Sequence, residues 1–348
     1  MALFGLFGNF TKPGPGVNKD EPPKPGPIRF FEIYFRKFTK LCQANLIFFL
    51  PVAAAGALMV LLYLSPTHVI LSVGTAENPM EVDMWTRYVV PLPLILVSPF
   101  AAGLTYITRN FVREEHAFIW SDFWDAVKGN WKYFLLNGLI IYLAYTILSF
   151  SITYYGNRAA VDGLYYVPFW VCVLIAVLFL FAQFYLPVMF ITFDLKFKDV
   201  YKNAMIFILA GFWRNLVIVA VAAALAVIVL LVPLINLVVF LMMVIVLLVI
   251  FAFFSYLVNF MVYPVIDRYM IKPYERQQAI ARGEILPDEP EKELTTAEKR
   301  EAAFYAPPES VMDNDEDAES AEDKYVFING KLVKKSELKP QERDELGE

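Results

Sequence analysis

Charge is what this chain has least of. Only 19% of its residues are Asp, Glu, Lys or Arg, where a soluble domain carries about a quarter. Those it has gather at the two ends and in short loops. Cysteine is scarcer still: Cys42 and Cys172 lie far apart, each in or beside an apolar run. That leaves neither a disulfide framework nor a thiolate metal set. Histidine is limited to His68 and His116, and no His-Glu-x-x-His spacing occurs, so neither a metal site nor a cofactor is expected. A nucleophile elbow, a P-loop and a glycine-rich dinucleotide turn are all missing, and paired acids occur only in the tail and surface segments. An enzyme is therefore not expected. The start, MALFGLFGNF, has no basic n-region, so no secretory signal is expected. The net charge of −5 belongs to the tails and gives no reason to expect nucleic acid as a partner.

What the chain has in excess is apolar length. Its 348 residues have a mean hydropathy of +0.51, and runs near twenty apolar residues recur, about what a helix needs to cross the hydrocarbon core. The predicted class is an all-α polytopic membrane protein with six transmembrane helices over residues 45–64, 88–108, 133–153, 166–191, 215–231 and 234–262. Pro233 and Asn236 suggest a tight turn between the last two. Basic residues alternate with the spans. Arg29, Arg36, Lys37 and Lys40 precede the first, Arg109, Arg113, Lys128 and Lys132 follow the second, Lys196, Lys198, Lys202 and Arg214 follow the fourth, and Arg268, Lys272 and Arg276 follow the sixth. The intervening loops offer only Arg87 and Arg158. By the positive-inside rule both termini are expected in the cytoplasm.

Each odd span is preceded by an amphipathic segment, which predicts three pseudo-repeated hairpins skirted by cytoplasmic surface helices. Before the first span, Phe30, Phe31, Tyr34, Phe35, Phe38 and Leu41 oppose Glu32, Arg36, Lys40 and Gln43. Before the third, Trp120, Phe123, Trp124, Val127, Trp131 and Phe134 share one face, with Ser121 as the expected N-cap. Before the fifth, Phe197, Val200, Tyr201, Ala204 and Phe207 do the same. Asp-x-x-Lys recurs as Asp125/Lys128 and Asp199/Lys202, and all three copies lead to an asparagine: Asn45, Asn137 and Asn215. Trp120, Phe123, Trp124 and Trp131 are expected to anchor the segment at the membrane interface.

The densest polar cluster is Arg113-Glu114-Glu115-His116. With Arg109 it reads either as a solvated loop of local ion pairs or as a docking patch for a cytoplasmic partner. The spans carry no ionisable residue at mid-depth, which argues against an ion-coupled transporter. Gln183, Ser255 and Asn259 read as interhelical hydrogen-bonding groups or as the lining of a path for a neutral solute. Pro51, Pro99 and Pro187 interrupt spans. Residues 1–27 are expected to be a flexible segment, residues 28–270 the membrane domain, and residues 271–323 an acidic linker, disordered beyond an initial helical stub. Residues 324–338 should form a short hairpin, with Tyr325 and Phe327 in its first strand and a type I′ turn at Asn329-Gly330. An isolated hairpin is marginal, so this one is expected to dock on the protein or on a partner's sheet edge.

Three pieces, GLFGNFTKPGPGV, FFEIYFRKFTKLCQANLIFFLPV and PFAAGLTYITRNFVREEHAFIWSDFWDAVKGNWKYF, resemble the YesL-like membrane proteins, a bacterial family of undetermined molecular function. The resemblance runs over residues 28–275 and leaves out the long loop Ser65 to Arg87 and the C-terminal tail. It implies a bacterial plasma-membrane protein, often encoded beside carbohydrate ABC importers and glycoside hydrolases, and transfers no site residues. The expected function is a non-enzymatic accessory or scaffold component of a carbohydrate-uptake (ABC importer) system, contacting a permease or its ATPase through its cytoplasmic face. The alternative is a channel or facilitator for a small neutral solute.

Overall fold

Prolines decide the shape of the second crossing. Each removes a backbone N–H and clashes with the carbonyl one turn earlier, and Pro91, Pro93 and Pro99 fall in quick succession. The chain answers with a π-helical turn at Trp85–Val89 and a 3-10 helix at Leu92–Phe100, and becomes α-helical only at α3 (Ala101–Val112). Elsewhere the chain is α-helical: the apolar runs form α2 (Phe38–Tyr63), α4 (Ile119–Ala159), α5 (Tyr166–Thr192), α7 (Phe212–Leu231) and α8 (Leu237–Ile266), and shorter helices form α1 (Gly26–Arg36), α6 (Phe197–Ala210) and α9 (Lys272–Ala281). The computed structural model describes residues 26–74, 79–231, 237–282, 325–328 and 331–334. Five of its helical stretches are long and apolar enough to cross a membrane, and a sixth if α6 and α7, bent by 89° to one another, count as one crossing. The protein is an all-α polytopic membrane protein.

The three amphipathic segments take three different shapes. α1 passes into α2 through a single break at Lys37, α4 runs unbroken for 41 residues, and α6 turns sharply into α7. The turn falls at Gly211, where a Cβ would lie 1.9 Å from the Tyr185 hydroxyl, so the missing side chain is what lets the Tyr185 ring of α5 reach the bend. The segment expected as a separate surface helix over Trp120 to Trp131 is thus the first three turns of a crossing helix. Its N-cap is Phe118, not Ser121; the Asp122 carboxylate accepts from the Phe118 N–H at 2.8 Å and places negative charge at the positive end of the helix dipole.

The three asparagines are buried, each with a different partner. Asn45 Oδ1 accepts from the Ala252 N–H of α8 at 2.9 Å. Asn137 Nδ2 donates to Gln183 Oε1 at 3.1 Å, and its Oδ1 accepts from the Tyr201 hydroxyl. Asn215 Nδ2 donates to the Ile208 carbonyl at 3.2 Å, across the α6–α7 bend. In an apolar surrounding such bonds join helices with side chains rather than burial.

Tight packing gathers at the end of the bundle that carries the basic residues. One core group joins α1, the first turns of α2, α3, the start of α4 and α8. The other joins the second half of α5, α6 and the end of α8. Toward the opposite end, Val60, Leu61 and Tyr63 of α2 and Trp170, Val171 and Leu174 of α5 are exposed. That is the pattern expected where lipid rather than water lies outside.

Two small hairpins accompany the helices. β1 (Ile70–Gly74) and β2 (Pro79–Asp83) pair antiparallel with Ile70 opposite Asp83, inside the segment read from sequence as a plain loop. At its foot Asp83 accepts from His68 Nδ1 (2.8 Å), the Thr86 hydroxyl (2.7 Å) and the Trp85 N–H (3.0 Å). The Thr86 hydroxyl first, and then His68, hold its carboxyl well below the usual carboxylate range. Trp85 Nε1 donates to the Leu62 carbonyl at 2.9 Å and ties the hairpin to α2. In the tail, β3 (Tyr325–Ile328) and β4 (Lys331–Lys334) pair with Ile328 opposite Lys331, so two residues connect them. Residues 1–25 and 283–324, the turn expected at Pro233 and Asn236, Asn329, Gly330 and residues 335–338 lie outside the described residues; residues 271–281 are helical, the initial stub expected of the linker.

Candidate functional site at the basic end of the bundle

The loop between α3 and α4 is built as a helix stop. Glu114 donates its N–H to the Phe111 carbonyl (3.0 Å), and Glu115 donates to that of Asn110 (2.8 Å), the Schellman closure of a helix C-terminus. The closure needs a left-handed residue, usually glycine, at the first of these positions. Glu114 takes it with φ = +59°, the only positive φ outside glycine among the described residues. Its carboxylate gives the glutamate a use there: it accepts from Arg36 and, at 3.3 Å, from Arg29, both on α1. Burial pushes the Glu114 carboxyl up, but the hydrogen bond and charge of Arg36, reinforced by Arg29, outweigh it and leave the net shift downward. Glu114 is a clasp that holds α1 to the bundle.

The neighbours divide between local pairs and open positions. Arg113 bonds Glu115 at 2.7 Å and lies 5.7 Å from the Tyr263 ring. The His116 ring lies against Phe118, tilted by 58° with centroids 4.7 Å apart, and is exposed. Arg109, expected in the same exposed patch, is only 1% exposed. The loop begins one turn later, and Arg109 points inward from α3. Its Nε and Nη2 donate to Asn110 Oδ1 (3.2 and 2.9 Å), and its Nη1 to the Ile191 carbonyl (3.1 Å) and the Thr192 hydroxyl (3.4 Å). Ile191 and Thr192 close α5, where carbonyls lack intrahelical donors and the helix dipole is negative. The guanidinium caps that helix from the side, 4.8 Å from the Tyr106 ring.

The aromatic anchors divide as well. Trp120 and Trp131 are exposed and Trp124 is partly so. Phe123 is fully buried and is not an interface anchor. It packs on Gly103 of α3, where a Cβ would come 2.6 Å from the Phe123 ring. Deeper in the bundle, Thr108 Oγ1 meets Ser255 Oγ at 2.8 Å and accepts from Asn259 Nδ2 at 3.0 Å. Among the described residues, no group of three or more His, Cys, Asp or Glu side chains converges as a metal-ligand set.

Two open grooves mark the ends. At the basic end, a groove of about 760 Å³ lies between the first turns of α2 and residues 116–121, walled by Leu46, Ile47, Phe118 and Trp120 and rimmed by Lys40, Gln43 and His116. At the opposite end, about 450 Å³ opens between β1 and the end of α4, where Arg158 lies 5.5 Å from the Tyr154 ring. The Glu114 clasp and the groove went unread in the sequence. A charged residue in a left-handed position carries no local signature, whereas the alternating ILSVG and PMEVD could have disclosed the β1–β2 hairpin.

Residues 57–152 match the family described as protein of unknown function, DUF624. The match runs from mid-α2 to most of α4 and contains the clasp loop but not α1. No curated protein and no solved structure matches the chain.

Proposed function

We propose that this is a non-enzymatic, YesL-like protein of the bacterial plasma membrane, with both termini in the cytoplasm. In this reading it is an accessory or scaffold component of a carbohydrate-uptake (ABC importer) system. The observation that carries the reading is the placement of polar groups. Those inside the bundle are hydrogen-bonded within the protein, Asn137 to Gln183 and Tyr201, Asn259 and Ser255 to Thr108, and Asn45 and Asn215 to backbone groups. Those at the basic end, Arg113, Glu115 and His116, are at the surface. Interior groups spent on helix association support a scaffold; surface ones support partner contact on the side that the positive-inside rule places in the cytoplasm. The hairpin Tyr325–Lys334 would add a recognition edge.

A facilitator for a small neutral solute is the second reading. It is favoured by Gln183 Nε2 and Asn259 Oδ1, buried atoms without a hydrogen-bond partner among the described residues. The deciding experiment is affinity purification from native membranes in mild detergent, with mass spectrometry of what is retained, comparing the full chain with one ending at Arg282. A carbohydrate permease held by the full chain and lost with the tail supports the accessory reading. A protein recovered alone in both forms overturns it and directs attention to solute flux in liposomes.

A further inference from the structure

We propose that the groove between α2 and the start of α4 is a binding site for one membrane phospholipid with an anionic headgroup. Lys40, Gln43 and His116 would hold the phosphate region, and one acyl chain would lie along Leu46, Ile47 and Trp120. The inference stands apart from the carbohydrate reading and does not need it.

The groove has the polarity of such a molecule. Its polar rim and its apolar walls sit at opposite ends of the same turns of α2. Leu46, Phe118 and Trp120 are 49%, 67% and 65% exposed, and Leu50 continues the apolar strip at 65%. From position 40 to position 50 the helix rises about 15 Å, the thickness of one leaflet's share of a hydrocarbon core of about 30 Å. A chain seated along the strip therefore stays at its natural depth. Inside a bilayer, apolar surface alone gives no reason for another protein to cover it, because lipid tails solvate it equally well. An acyl chain is the occupant that this side already meets.

Selectivity comes from unbalanced charge at the rim. Glu114 is engaged by Arg29 and Arg36. Among the described residues no carboxylate lies within ion-pair distance of Lys37 or Lys40, and neither Gln43 nor His116 has a hydrogen-bond partner. Lys37, one turn before Lys40 and outside the groove, has its proton affinity lowered by burial first and then by repulsion from Lys40 and Arg36, which Glu114 only partly offsets. Basic pockets at helix edges of this kind attract anionic headgroups.

The test uses the full-length protein, delipidated in mild detergent, titrated with phosphatidylglycerol or phosphatidylcholine of identical chains and read by native mass spectrometry. One phosphatidylglycerol should be held in preference. Lys40→Glu should weaken that binding by about tenfold or more, and Leu46→Trp, which fills the apolar end and leaves the charges in place, should weaken it as well. Lys198→Glu, an exposed cation on α6, should leave it unchanged. If Lys40→Glu does not fold, His116→Ala on the loop tests the same rim. Equal affinity for both lipids overturns the proposal, as does equal loss in Lys40→Glu and Lys198→Glu. A lipid-independent dimer abolished by Leu46→Trp would also overturn it, assigning the groove to a second copy of the chain.

Discussion

Replacing Glu114 separates two energies that the wild-type residue combines. A non-glycine residue in the left-handed region costs about 1–2 kcal/mol relative to glycine. Its ion pairs to Arg29 and Arg36 are partly exposed, at 38–49% side-chain exposure, so each is worth about 0.2–1 kcal/mol. Glu114→Ala keeps the strain and loses both pairs, for a net loss of about 1 kcal/mol. Glu114→Gly loses the pairs and relieves the strain, leaving global stability near wild type. By the usual scaling, the two variants should differ in thermal midpoint by about 2–4 °C. Both should release α1 alike, which hydrogen–deuterium exchange of residues 26–36 will detect as faster exchange than in wild type. The pH dependence has a definite sign. Glu114 titrates below its ordinary value of about 4.3, so its contribution is complete above that value and disappears as pH falls through the folded-state pKa. Glu114→Gln should exchange α1 rapidly at neutral pH and resemble wild type only in acid. Equal destabilisation by Ala and Gly would refute the strain argument, and unchanged exchange of α1 in both would refute the clasp.

Three further perturbations test neighbouring features. Gly103→Ala drives a Cβ to within 2.7 Å of the Phe123 backbone carbonyl and should cost about 1–3 kcal/mol by overpacking, seen as a lowered thermal midpoint; a neutral outcome would mean that α3 and α4 separate easily. Arg109→Met leaves the Ile191 carbonyl and the Thr192 hydroxyl at the end of α5 without the guanidinium donor and should cost about 2–4 kcal/mol, with charge-assisted bonds worth about 1.5–3 kcal/mol each, while Arg109→Lys should recover part of the loss in the same unfolding assay. Asp83→Ala removes the acceptor shared by His68, Thr86 and Trp85 and should speed proteolysis of residues 70–83. In wild type that protection should persist below the ordinary Asp value of about 3.9, because the depressed pKa keeps the carboxylate ionised until the pH falls through it.

The crossings were legible because a helix in hydrocarbon must be long and apolar wherever it lies in the fold. The depth of a side chain was less so. Phe123 and Trp120 look alike as aromatics on one amphipathic segment, yet Gly103 opposite Phe123 opens a seat for that ring alone. Arg109 and Arg113, one helical turn apart, both read as loop cations, and the stop of α3 separates a buried cap from a surface pair. The repeated asparagines could be found by spacing, but which helix each would bond depends on chain neighbours far away in sequence. The aromatic stripe of α1 was readable as one face. The structure divides it, with Phe30 and Tyr34 turned to the core and Phe31 and Phe35 outward, because a stripe that wide can serve protein and lipid at once.

The bond from Asn45 to the Ala252 N–H spans 207 positions of chain, and that from the Tyr256 hydroxyl to the Phe30 carbonyl spans 226. During synthesis the first crossing must therefore wait for the last. At about 5–20 residues per second, the interval between their emergence is roughly 10–40 s. Throughout it Asn45 sits in the membrane without the Ala252 N–H, and the core face of α1 lacks the rings of Phe253, Tyr256 and Phe260 that pack on Phe30. The assembly is closed by α8, and a nascent chain arrested before it would expose the very surfaces by which a membrane quality-control system could recognise it as unfinished.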